Sequence, residues 1–212
     1  MQIENKSSCY PEMKPRKRAL CSPYKELPHI NQNRMENYIF KSERLGFRNW
    51  TENDKPKMTE INSDPKVMEF FPSIPNKEQT EEFINRMKRQ YSENRFCYFA
   101  VDKLENNEFI GFIGISEQKF ESDFTPCVDI GWRLAQKEWG KGYATEGARK
   151  CLDFAFNDIG LKTVKSICPK INDKSERVME KLGMKNKRTF NHPLLKEYKT
   201  LESCVLYEIE SE

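Results

Sequence analysis

No apolar run in this sequence approaches the roughly 18–20 residues that a membrane-spanning helix needs. The start, MQIENKSSCYPEM, has none of the apolar core of an export signal, so the expected location is the cytoplasm. There is no CxxC pair and there are only two histidines, which gives a zinc site little support. The seven cysteines, Cys9, Cys21, Cys97, Cys127, Cys151, Cys168 and Cys204, are odd in number and widely spaced. Without export, a disulfide framework is not expected, and they read as free thiols packed like small hydrophobes. Charge of one sign is not in excess: 36 Lys+Arg stand against 33 Asp+Glu, a net +3, which gives no reason to expect nucleic acid. No repeat of 20–50 residues is visible. What the chain does have is bulk for a core, 14 Phe, 8 Tyr and 3 Trp in 212 residues. That excludes wholesale disorder and suggests one domain, or one with an appendage.

Residues 1–34 differ from the rest. They hold Pro11, Pro15, Pro23 and Pro28, no apolar period, and seven Lys/Arg against three Glu, or +4, which leaves the remainder at −1. They read as a loosely ordered basic extension, with residues 35–212 as the functional domain. From there the pattern alternates in type. Strand-like alternation over 38–50 precedes a short helix in DKPKMTEINSD. Asn76 can cap a helix over 76–91. Two strands, 96–101 and 109–116, make an antiparallel hairpin around LENNE. Residues 127–135 form another strand, 143–160 a helix stopped by Gly160, 163–168 a strand, 172–183 a helix stopped by Gly183, and 205–210 a last strand. Segments 62–75 and 187–201 show no pattern and read as irregular. The class is mixed α/β: a hairpin first, then two strand–helix units.

Chemistry concentrates where the strand at 127–135 runs through Gly140-Lys141-Gly142 into a helix. Glycines let the backbone turn sharply and approach a ligand. The first N–H groups of a helix lack internal partners and sit at its positive end, a place that binds phosphate. Lys141 adds a mobile cation. A P-loop, GxxxxGK[ST], is absent. A dinucleotide fingerprint fails because Thr145 stands where a small residue is wanted and because an antiparallel hairpin comes first.

The run VDIGWRLAQKEWGKGYATEG over 128–147, followed by NDKSERVMEKLGM over 172–184, resembles the GNAT superfamily of acetyl-CoA-dependent N-acetyltransferases. Within it the branch of ribosomal-protein N-terminal acetyltransferases (RimJ/RimL type) is most similar. The segments SERLGFRNWTENDKPKM, FIGFIGIS, FTPC, His192-Pro193 and VLYEIE also fit, so the resemblance spans residues 37–210. It implies a mostly antiparallel twisted sheet with flanking helices, whose central strands, 128–135 and 163–168, splay apart. Pantetheine would pair with the opened edge and the coenzyme diphosphate would meet the loop. The positions that would hold acetyl-CoA are Arg133, Leu134, Ala135, Trp139, Gly140, Lys141, Gly142, Tyr143, Ala144, Thr145, Asn172 and Ser175. Gly142 and Ala144 match the family loop pattern. Trp139 stands where Arg or Gln is usual, which leaves Lys141 and backbone N–H groups as the anion donors.

The implied reaction moves the acetyl group of acetyl-CoA to a primary amine of a small molecule or protein N-terminus by direct attack. It needs no metal and no membrane partner. The amine must lose a proton, the thioester oxygen needs a donor, and the leaving thiolate gains from a proton. By resemblance the oxygen donor is the Leu134 N–H. Met179 occupies the usual acid position and cannot donate, so Ser175 is the expected acid. Asp129 and Glu117 are the candidate carboxylates for taking the amine's proton, and His192 is another titratable option. Plain helix capping also explains Asn172 and Ser175, and a surface charge or structural pair also explains Asp129. Cys204 replaces a histidine frequent in relatives. The competing reading is a non-catalytic CoA-binding module, and the oligomeric state, a homodimer included, is open.

Overall fold

The computed structural model describes residues 38–211, so the expectations for residues 1–34 lie outside the described residues. Eight strands form one sheet among the described residues, in the order β1-β2-β3-β4-β5-β6-β8-β7. They are β1 (Phe40–Lys41), β2 (Leu45–Arg48), β3 (Tyr98–Lys103), β4 (Phe109–Gln118), β5 (Cys127–Leu134), β6 (Thr163–Pro169), β7 (Lys185–Asn191) and β8 (Ser203–Glu210). Neighbours are antiparallel except β5 and β6, which are parallel and share one registered pair, Asp129 with Lys165. Beyond that pair the two strands diverge, and this parting is the feature that positions the site.

Four helices cover the two faces: α1 (Asp54–Ser63), α2 (Lys77–Asn94), α3 (Tyr143–Asp153) and α4 (Asp173–Lys181). Strand alternation sorts the contacts. Ser116 and Phe112 of β4 point toward α2, where Ser116 Oγ bonds Gln90 and the Phe112 ring lies 5.2 Å from Phe83. Their neighbours Ile113 and Ile115 face the other way, toward α3. Gly147 lets α3 close on that face, since a Cβ there would stand 2.4 Å from Ile113 Cδ1. The core is continuous through both layers, from Leu45, Phe47 and Phe99 to Val164 and Met179.

Local signals account for most boundaries. Asn76 and Gln79 form a reciprocal cap at the start of α2, with hydrogen bonds of 2.8 and 2.9 Å. Past α3 the chain passes through a π-helical turn, Phe154–Asp158, before Gly160 at φ +82° ends it. One segment departs from expectation. Part of 187–201 is ordered as β7, not irregular. Its residues KNKRTFN are exposed except for partly buried Phe190, and backbone pairing with β8 holds them. An edge strand with two polar faces carries no apolar alternation for a reader to find.

Candidate active site

Backbone alternation along β5 decides what faces the gap. Ala135 N–H donates to Ile110 O and Arg133 registers with Phe112, so the odd positions turn their backbone groups toward β4. The even positions turn toward β6. Ile130 O accepts from Ser166 Oγ at 3.0 Å, and Leu134 O accepts from the Trp139 indole at 2.9 Å. The N–H and C=O of Trp132 and the N–H of Leu134 then lie on the edge that β6 has left. Of Arg133, Leu134 and Ala135, only Leu134 presents its backbone there, and Trp132 joins it.

The gap opens toward the loop before α3. Gly140 and Gly142 take φ of +75° and +84°, conformations that a side chain disfavours, and a Cβ on Gly140 would meet nothing within 4 Å. Helix α3 has no side-chain cap, and its first internal bond is Glu146 N–H to Gly142 O. The N–H groups of Tyr143, Ala144 and Thr145 therefore have no partner inside the helix. Lys141, expected as the mobile cation, is held 3.0 Å from buried Glu138. Two other cations stand at the loop. Arg44 donates to Lys141 O at 3.1 Å, lies over the Tyr143 ring at 4.5 Å, and pairs with Glu146 at 2.6 Å. Lys174, in the first turn of α4, lies 4.6 Å from the centre of the Trp139 ring. A cation from α4 thus stands beside position 139. The arrangement fits coenzyme A: an open strand edge for an amide-rich arm, and orphan N–H groups with two cations for a diphosphate.

The same first turn of α4 carries Ser175. Asn172 Oδ1 accepts from Ser175 N–H at 3.2 Å, so Asn172 caps the helix through the Ser175 backbone. No hydrogen bond engages Ser175 Oγ among the described residues. Met179 is buried in the core. Ser175→Ala keeps the capping bond and removes only the hydroxyl. If the hydroxyl protonates the leaving thiolate, kcat is expected to fall by roughly 10–100-fold, less than the usual loss of a proton donor because a thiolate leaves moderately well unprotonated. The melting temperature should stay the same. Normal turnover in this variant, measured beside its melting curve, would remove Ser175 from the mechanism.

Asp129 sits at the fork where β5 and β6 part. It is 8% exposed, so it is not a solvated strand-edge charge. Its Oδ1 accepts from Tyr98 OH at 2.6 Å and from Gln118 Nε2 at 3.0 Å, and no cation lies within ion-pair range among the described residues. Burial raises its pKa from 3.8 to about 6, against the pull of these hydrogen bonds. Burial, with Asp129 beside it, pushes the Tyr98 phenol well above its ordinary range, so Tyr98 remains a donor. Glu117 pairs in register with Val128, hence projects from the opposite face, and is bound to Lys119 at 2.6 Å. The structure does not bring it beside Asp129. His192 lies between the Phe120 and Phe190 rings, with Nδ1 accepting from Leu194 N–H and its pKa lowered by burial. Cys204 is buried.

Sequence reading missed Arg44, Tyr98, Lys174 and Trp132. Tyr98 lies in FCYFAV, which reads as core, and Arg44 in SERL, where one arginine carries no local signal. The comparisons show the family and the fold. A family model described as an acetyltransferase (GNAT) domain matches residues 44–185. The uncharacterized protein YkkB of Bacillus subtilis is 33% identical over 135 residues, covering 62% of this chain and 77% of that one. The uncharacterized N-acetyltransferase YnaD, also of Bacillus subtilis, is 29% identical over 150 residues, covering 70% and 84%. The crystal structure of a GNAT-family acetyltransferase from Bacillus anthracis superposes with a TM-score of 0.67 at 28% identity, covering 80% of this chain and 96% of that one.

Proposed function

Because the chain belongs to the GNAT acetyltransferase family, we propose that it is an acetyl-CoA-dependent N-acetyltransferase acting on a primary amine of a small molecule or a protein N-terminus. The observation that carries this reading is Asp129, a buried carboxylate without a cation at the fork of the splayed strands. A module that only binds the coenzyme has no use for it. Acetyl-CoA supplies the activated acyl group. The edge of β5 at Trp132 and Leu134, the N–H groups of Tyr143–Thr145, Arg44 and Lys174 would hold it. The Leu134 N–H is the donor for charge developing on the thioester oxygen. Asp129 takes the proton of an incoming ammonium, directly or through water, and Tyr98 and Gln118 keep its oxygen oriented. Ser175 Oγ holds the proton for the leaving sulfur. The resemblance to ribosomal-protein acetyltransferases favours an N-terminal amine among the acceptors.

Thiol release from acetyl-CoA with a panel of amines, followed by mass detection of the acetylated product, tests the reading. Coenzyme binding with no thiol release for any amine would establish the binding-module alternative. We also propose that residues 1–34 are an appendage, since the family match begins after them. A chain starting at Met35 should keep its turnover. A folded one that has lost it would make the extension part of the enzyme.

A further inference from the structure

The face of β5 that carries Asp129 also carries Gly131 and Arg133. Tyr98 covers Gly131, where a Cβ would meet its ring at 3.2 Å, and leads to Asp129. Arg133, at the other end, is held differently. Its Nη1 donates to Asn62 Oδ1 at 2.8 Å. Its guanidinium lies 4.1 Å from the Phe71 ring centre and 5.4 Å from that of Phe112. Its Nε is shut off from solvent with no hydrogen-bond partner. No carboxylate approaches it within ion-pair range among the described residues.

The same fold shows what a neutralised arginine looks like. Arg48, its side chain 14% exposed, bonds both Asp54 and Asp102, at 2.7 and 2.6 Å. A largely desolvated cation without an acid is costly, and a counter-charge relieves the cost. Desolvation lowers Arg133 to about 10, which leaves it charged at neutral pH. The coenzyme diphosphate is not the missing anion, because its loop leads into α3, on the opposite face of the sheet. On the N-acetyltransferase reading, it is the acceptor that meets the Asp129 face. Phe71, 39% exposed, borders this place from the 62–75 segment.

We propose that Arg133, with Asn62 and Phe71, forms a subsite for a carboxylate carried by the acceptor, so that the enzyme acetylates amines that also bear an acid group. This rests on the N-acetyltransferase reading and names its substrate class. The carboxylate docks against the guanidinium while the amine is presented toward Asp129. The acid belongs to a free amino acid or to an acidic residue near a peptide's N-terminus.

Matched pairs distinguish these sources: amino acids against their amides, and peptides with Asp or Glu against Asn or Gln near the N-terminus. Wild type is expected to favour the acidic member by about 10–100-fold in kcat/KM, the range of a charge-assisted hydrogen bond. Arg133→Met keeps an unbranched chain between the two rings and removes the charge, so this ratio should collapse toward one. Arg133→Lys should retain part of it. Calorimetry of the same amines on protein saturated with CoA gives a readout independent of turnover. Acidic amines that bind wild type and not Arg133→Met, with no thiol release from any amine, would sink the transferase reading and leave the subsite standing. Turnover with no preference for the acidic member, or equal losses for both members in Arg133→Met, overturns the subsite alone. Absence of both binding and turnover also overturns it.

Discussion

Replacing Asp129 by Asn should slow acetyl transfer by about 10²–10⁴-fold and at the same time make the protein more stable. The two effects share one cause. Asn keeps an oxygen for Tyr98 OH and Gln118 Nε2, so the local geometry survives, but it cannot take a proton. It also removes a buried negative charge with no cation beside it. The folded pKa of about 6 lies above the ordinary 3.8, so between these values the folded protein binds more protons than the unfolded chain. Stability therefore falls as pH rises from about 4 to about 6, by about 3 kcal/mol in all. Asn abolishes that slope and recovers part of the loss, a rise of about 2–4 °C in melting temperature per kcal/mol for a domain this size. In wild type, kcat/KM should climb with pH through about 6 as the base ionises. A purely structural Asp129 predicts the reverse: Asn lowers the melting point and leaves kcat within a few-fold. Thermal melts across pH 4–8 beside pH–rate profiles separate the two.

Gly142→Asp should abolish coenzyme binding in a protein that still folds. Position 142 has φ +84°, where a side chain costs about 1–2 kcal/mol, tolerable for a domain of this size. A Cβ there would stand 3.4 Å from Arg44 Nη2, so the new carboxylate would occupy the side of Arg44 that Glu146 leaves free and face the orphan N–H groups of α3. Losing two charge-assisted contacts at about 1.5–3 kcal/mol each amounts to a Kd increase of about 10²–10⁴-fold. Titration calorimetry with CoA on the folded variant measures it directly. Unchanged affinity would mean that the diphosphate binds elsewhere.

Much of this was legible along the chain because it is local. The glycines before α3, the Asn76 and Asn172 caps and the strand alternation are all set by residues a few positions apart, where turn geometry and period act. Asp129 stood out because a carboxylate between Val128 and Ile130 must face away from them. Its burial was not legible, since it depends on Tyr98 and Gln118 arriving from other strands.

The sequence by itself determined the strand–loop–helix around Gly140–Gly142, most of the order of elements and the family. Each is written in short-range spacing. The tertiary structure decided which charges act. It took Lys141 away to Glu138 and brought Arg44 to the loop from 97 residues back. It set Lys174 over Trp139, sent Glu117 to the far face, and left Arg133 without an acid. Such pairings arise only when strands and helices distant in sequence pack together, and the energy of a charge depends on what that packing places within a few ångströms of it.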